Sequence, residues 1–393
     1  MNRNFTATPL LIVLAFLSAV TDAQAQGTWT QKANFGGSPR WGCASFSIGA
    51  KGYIGTGNDG SNRNDFWEWD QTTDTWSQKA SFPGTGRMEA VGFSIGTKGY
   101  LGTGDDGALK TDFYAYDQVT NTWAGIASYP GTARRACAAF SIGGKGYVGT
   151  GMDYTNTADF YEYDPVADTW TAKAAFSGGA RWGAVGFSIG NKGYFGTGLS
   201  NNGGEVDFWE YDPALDTWTQ KANVGGQPRY VGVGFSIGTM GYIGTGPSAA
   251  QDLWEWNSAT NTWTQMASIS PGRSDACGFS IGSKGYIGTG YPTYLGDFWE
   301  FSPGPTAAGP GDQPVITANV FPNPLKEKST LRLSSALQGG TFLLFNTEGK
   351  LVRTLALHGN ELDLEKGDLP AGLYHFQVNS GARLVASGKI LVN

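Results

Sequence analysis

Histidine, cysteine and helical periodicity are what this 393-residue chain has least of. Its only histidines are His358 and His375, so residues 26–303 lack the commonest general base and the commonest metal ligand. The three cysteines, Cys43, Cys137 and Cys277, are an odd number at wide spacing. They form neither a disulfide framework nor a close-set zinc pattern, and read as small apolar fillers in strands. No metal and no cofactor is expected. A formal net charge of −6 argues against a basic nucleic-acid-binding face. No sustained 3.6-residue apolar period appears, which excludes helix as the main element. The one long apolar run, residues 9–20, is too short to span a bilayer as a helix, and no later stretch approaches that length. Arg3 precedes this run and Ala23-Gln24-Ala25 follows it, the pattern of a signal peptide over residues 1–25 cleaved between Ala25 and Gln26.

Glycine and aromatic residues are abundant instead. There are 60 glycines, and the 13% aromatic fraction is far too high for a disordered chain. The combination points to an all-β protein with many tight turns. The reason is a repeat. Phe-Ser-Ile-Gly begins at Phe46, Phe93, Phe140, Phe187, Phe235 and Phe279, and leads each time into a segment like Lys-Gly-Tyr-Ile-Gly-Thr-Gly. An Asp-Phe-Trp-Glu-Tyr-Asp-like segment follows from Asp65, Asp112, Asp159, Asp207, Asp252 and Asp297. Thr-Trp recurs at Trp29, Trp76, Trp123, Trp170, Trp218 and Trp263. Each unit reads as four short strands bounded by Gly, Pro, Asp and Asn, which predicts a blade of a six-bladed β-propeller over residues 26–303. The sixth unit lacks its Trp strand, and a spare one stands at Trp29. The N-terminal strand is therefore expected to complete the last blade and close the ring.

The order Arg, Gly-Tyr-Ile-Gly-Thr-Gly, Tyr-Asp-Pro, Asn/Asp-Thr-Trp resembles the kelch repeat, with Gly-Thr-Gly in place of the usual Gly-Gly doublet. The resemblance implies four-stranded blades and not one particular function, since this fold hosts both binding modules and enzymes. A copper oxidase on such a propeller needs histidine ligands that residues 26–303 do not supply. Matches to G-x-G-x-x-G at Gly55 and Gly102 lack the following helix that a dinucleotide requires. Matches to G-x-S-x-G, as at Gly92, are products of the repeat and have no histidine partner.

Residues 304–314 are a Pro/Gly-rich linker. Residues 315–393 read as a separate Ig-like β-sandwich of about seven short strands, among them 330–333, 341–346, 350–355 and 372–378. This segment resembles the C-terminal sorting domain of the type IX secretion system of the Bacteroidota. The matching residues include Pro322, Asn323 and Pro324, Gly349, Gly372 and Tyr374, and Lys389 in the terminal strand. Asn346 stands where the family usually has Asp. The resemblance implies passage through the periplasm, engagement of the secretion machinery, and release or attachment at the outer surface.

Six arginines recur at the head of the first strand: Arg40, Arg87, Arg134, Arg181, Arg229 and Arg273. In an up-down blade they ring one mouth of the central channel. Trp41, Arg135, Trp182 and Tyr230 follow directly, and Glu89 and Asp275 lie close by. Guanidinium forks suit carboxylate or phosphate, and indole faces suit sugar rings. The opposing expectation is that the arginines tie neighbouring blades together. The reading favoured is a non-enzymatic binding or adhesion module for an extracellular glycan or protein. The alternatives are an enzyme of acidic sugars, mutarotase-like, with Glu89 or Asp275 as acid/base, and a purely structural surface component.

Overall fold

The computed structural model describes residues 26–304, 318–346, 350–380 and 383–393, which fall into two compact units. The expected signal peptide lies outside the described residues, as does the linker beyond Gly304.

The first unit is a ring of six four-stranded antiparallel sheets. Blade 1 comprises Ala44–Ile48, Lys51–Gly55, Phe66–Asp70 and Thr75–Lys79. Its first hairpin pairs Ile48 with Lys51 across a two-residue turn, with Gly49 at φ 59°, a conformation glycine adopts without strain. The other blades repeat this plan. Blades 2 to 6 begin at Val91, Ala138, Val185, Val233 and Cys277. Each first strand starts four residues after its arginine in all six blades, as Ala44 does after Arg40. A residue with positive φ interrupts the extended chain between them, so the arginine itself belongs to a loop.

Ring closure follows the expectation. Thr28–Gln31 pairs antiparallel with Phe298–Ser302 of blade 6, with Trp29 opposite Phe301. The outer-strand tryptophans join the blades. Each donates its indole N–H to an alanine carbonyl of the preceding blade, as Trp123 does to Ala80 at 2.8 Å and Trp170 to Ala127 at 2.9 Å. Trp29 does the same to Ala267 of blade 5 at 2.8 Å, so the N-terminal strand engages both the last blade and its neighbour.

Between blades the packing is aromatic into glycine. A Cβ placed on Gly99 would overlap the Phe46 ring of blade 1, and one on Gly146 the Phe93 ring of blade 2. These glycines leave space for a neighbour's phenylalanine, which is how wedge-shaped blades reach dense packing.

The second unit is one five-stranded antiparallel sheet of Ala318–Phe321, Lys328–Phe345, Leu351–Glu365, Gly372–Ser380 and Arg383–Val392. The expected strands 330–333 and 341–346 are two halves of the single strand Lys328–Phe345. Register shifts between Arg332 and Leu337 and between Leu337 and Gly340 divide it. One half pairs with Ala318–Phe321 and the other with Gly372–Ser380. Leu331, Leu333, Phe342, Leu344, Phe376 and Ile390 share one buried cluster. The sheet therefore turns at the bulges and closes over its own apolar face as a sandwich.

Candidate functional site

The channel mouth is built from backbone. A single hydrogen bond links each blade to the next: Gly42 N–H to Asp275 O (2.9 Å), Asp275 to Val231 (3.0 Å), Val231 to Gly183 (2.8 Å), Gly183 to Ala136 (3.0 Å), Ala136 to Glu89 (2.9 Å) and Glu89 to Gly42 (2.8 Å). The six bonds form a closed circuit. All six residues have positive φ, from 48° at Val231 to 65° at Gly42. Glycine takes that conformation freely, whereas Glu89, Ala136, Val231 and Asp275 are held there at a cost of about 1–3 kcal/mol each. The backbone conformation is common to all six blades, while the side chains it carries differ from blade to blade.

The six arginines are placed elsewhere. Each guanidinium is 3% exposed or less and grips the aspartate that opens the third strand of its own blade. Arg40 donates to both carboxylate oxygens of Asp65, to the carbonyls of Ser38 and Thr56, and to the Ser38 hydroxyl. All five of its N–H donors are thereby used. Arg87, Arg134, Arg181, Arg229 and Arg273 make the same bidentate pair with Asp112, Asp159, Asp207, Asp252 and Asp297. Burial raises the Asp65 and Asp252 carboxyls, but the hydrogen bonds from arginine and tryptophan outweigh it and hold both below the ordinary range. The link to the neighbouring blade comes from the arginine's backbone. Arg87 O accepts from Gly57 N–H at 2.7 Å, and Arg40 O from Gly290 N–H at 2.8 Å. The guanidinium groups thus lock each blade internally and offer no fork to a ligand.

The residues after the arginines directly precede the hydrogen-bonded ring in each blade. Trp41, Met88, Arg135, Trp182 and Ser274 bridge to the loop between second and third strands of their blades, at Asn58, Asp105, Met152, Leu199 and Tyr291. Trp182 and Tyr230 meet edge to face with centroids 5.4 Å apart, and Trp41 meets Tyr291 at 6.4 Å. A charged cluster also lies at this level. Arg135 Nε lies 3.1 Å from Glu89 Oε2, and its Nη1 lies 3.3 Å from Asp105 Oδ2. Ser274 donates to Asp275 at 2.8 Å. Burial pushes the Glu89 carboxyl up to about 7; Arg135 opposes this, while Asp275 and Asp105 add to it. Burial likewise raises Asp275 against the pull of Ser274 and Arg135. Two carboxyls on either side of Gly42 in the ring, both within the influence of the Arg135 guanidinium, make this part of the mouth acidic. Below the ring the channel is a cavity of about 160 Å³ lined by small residues such as Ala90, Ala138 and Gly232. Among the described residues no group of three or more acidic, histidine or cysteine side chains is arranged to hold a metal.

Two repeated contacts go beyond what the sequence led us to expect. The mid-strand glutamates Glu68, Glu162, Glu210, Glu255 and Glu300 accept from Tyr53, Tyr147, Tyr194, Tyr242 and Tyr286. Each pair stands directly opposite across two strands, and in blade 2 Tyr100 faces Ala115. The register was the missing signal. The Arg–Asp pairing was signalled by two residues recurring together in all six units.

In the second unit, Asn323 receives the N–H of Leu391 at 2.9 Å and donates to Lys389 O at 3.3 Å. Tyr374 donates to Pro370 O at 2.9 Å. The Pro322–Pro324 segment and the terminal strand, far apart in sequence, thus form one structure. Gly372 opens the strand carrying Tyr374, and Gly349 lies outside the described residues.

Residues 319–393 match the family model of the secretion system C-terminal sorting domain. No curated protein matches the sequence. Among solved structures, the one described as "Structure of YjhT" aligns with TM-score 0.57 at 17% identity, over 68% of this chain and 95% of its own, a likeness of fold. Among the described residues no helix is long and apolar enough to cross a membrane. The chain is an exported protein, secreted or held at the cell surface, in which a six-bladed β-propeller is carried by a type IX secretion C-terminal sorting domain.

Proposed function

We propose that the propeller is a binding module and that its ligand is a glycan seated on the channel mouth. The observation that carries this reading is the departure from six-fold symmetry at the hydrogen-bonded ring. One arc presents Trp182 and Tyr230, and the other presents Glu89, Asp275 and Arg135. Aromatic faces suit the apolar side of a sugar ring, and carboxyls beside a guanidinium suit its hydroxyls. With Arg40, Arg87, Arg134, Arg181, Arg229 and Arg273 engaged internally, the mouth favours neutral or amino sugars over polyanions. The ligand is taken to rest on the mouth, above the channel cavity of about 160 Å³.

A glycan array probed with the exported chain and with Trp182→Ala tests this. Truncation of a stacking residue at the centre of a site removes about 2 kcal/mol, a ~30-fold weaker Kd. Binding to a defined glycan class that weakens to this degree supports the reading. A folded wild-type chain that binds no glycan sinks it, and leaves a protein ligand or a structural role.

A second reading rests on Glu89. A buried carboxyl near 7 beside an arginine is what proton transfer at neutral pH requires. It supports an enzyme of acidic sugars with Glu89 as acid/base and Arg135 as the anion clamp. Turnover of a bound sugar that is abolished in Glu89→Gln, with binding retained, would favour it.

A further inference from the structure

Blades 6 and 1 meet beside the ring closure: Thr28–Gln31 is the outer strand of blade 6, held to Phe298–Ser302 by hydrogen bonds alone, and the chain runs on from it into the first strand of blade 1. At this seam two hydrogen bonds join the innermost strands: Gly42 N–H to Asp275 O at 2.9 Å and Ser45 Oγ to Gly278 O at 3.1 Å. Cys43 and Cys277 lie between them. The Cys277 sulfur stands 3.1 Å from the Thr289 hydroxyl oxygen. Both belong to one apolar cluster with Ile54, Phe279 and Tyr286. Both also line the central channel. The third thiol, Cys137, packs in a different cluster with residues of blades 2 and 3. At the other five seams the matching positions are filled by Ala, Val or Gly, with Cys137 alone among them.

We propose that Cys43 and Cys277 are a disulfide-forming pair that staples blade 1 to blade 6 once the chain has left the cytoplasm. Export delivers the protein to an oxidising space, where juxtaposed thiols are expected to be joined. The co-reactant is a disulfide, either a small molecule or an oxidoreductase's active-site bridge. The Cys277 thiolate attacks one of its sulfurs, a mixed disulfide forms, and one thiolate leaves. Cys43 loses its proton and attacks the Cys277 sulfur, expelling the second thiolate. The pair gives up two electrons and two protons, and the oxidant becomes two thiols. Thr289 supports this order. Burial raises the Cys277 thiol, but hydrogen bonds from Cys43 and Thr289 outweigh it and leave Cys277 the readier thiolate, whereas burial and the same pairing push Cys43 up. The staple closes the ring covalently, spanning the break that the backbone leaves inside blade 6 between Thr28–Gln31 and Phe298–Ser302.

The test uses the full chain collected after export. Alkylation in denaturant without reductant should label one cysteine, Cys137, and after reduction should label three. Peptide mapping should recover a Cys43–Cys277 cross-link. Reduction should lower the thermal midpoint by about 5–10 °C in wild type and in Cys137→Ala, but not in Cys43→Ala or Cys277→Ala. Labelling of all three thiols without reductant, or a cross-link through Cys137, overturns the proposal. The labelling of wild type decides even if the Cys43 and Cys277 variants fail to fold.

Discussion

Arg181 offers the sharpest test of the framework role of the arginines. Its side chain is 1% exposed and its guanidinium grips both oxygens of Asp207, which is itself 17% exposed. It also donates to the carbonyls of Thr197 and Gly178 and lies over the Phe176 ring at 5.0 Å. Arg181→Ala leaves a carboxylate with little solvent and only the Trp209 indole as partner. Breaking a buried pair in this way costs about 3–5 kcal/mol, a third or more of a typical domain's stability. Arg181→Ala/Asp207→Ala removes the stranded charge and should recover about 1–2 kcal/mol of that loss. The assay is urea unfolding followed by tryptophan fluorescence. All 14 tryptophans precede residue 303, so the signal reports the propeller alone. A loss below about 1 kcal/mol in the single variant, or a double variant no more stable than Arg181→Ala, would refute the argument.

Glu89→Gln should change how stability depends on pH. The native carboxyl, raised to about 7, holds its proton where the unfolded one has lost it, so wild-type stability falls as pH rises from about 4.5 to 7. The variant gains on wild type across that window by at most about 3 kcal/mol, and parallel urea midpoints at pH 5 and 8 would contradict this. Trp29→Ala removes the Phe301 contact at 5.0 Å and the bond to Ala267, and should cost about 2–4 kcal/mol by the same fluorescence assay. Truncation after residue 318 should leave the propeller inside the cell envelope, read by fractionation and immunoblot; undiminished protein in the medium or at the surface would count against the sorting role.

Much of the fold was legible because its defining contacts are local. Phe46 to Gly57 names a hairpin through its own turn glycine, and the surplus Trp29 strand announces how the ring closes. The sandwich was legible in outline, but the bulged strand Lys328–Phe345 looked like two, because a register shift leaves no residue signature of its own. The mouth was half legible. Glu89, Asp275, Arg135, Trp182 and Tyr230 stood out as departures from the repeat, whereas the six arginines drew attention by recurrence, which turned out to belong to packing. Whether a recurring charge faces solvent or a carboxylate 23 to 26 residues later depends on how far each blade twists, and no single unit states that.

The sequence by itself determined that this chain folds as repeated four-stranded blades, closes on its own N-terminal strand and carries a sorting domain, since pairing between neighbours in sequence and a six-fold motif suffice for that. Only the tertiary structure decided that the arginines are buried clasps, that six positive-φ residues form one hydrogen-bonded ring, and that Cys43 and Cys277 share a seam. The clasps depend on how each blade folds back on itself, whereas the ring and the Cys43–Cys277 seam join residues up to 234 positions apart and exist only once the sixth blade has come round to meet the first.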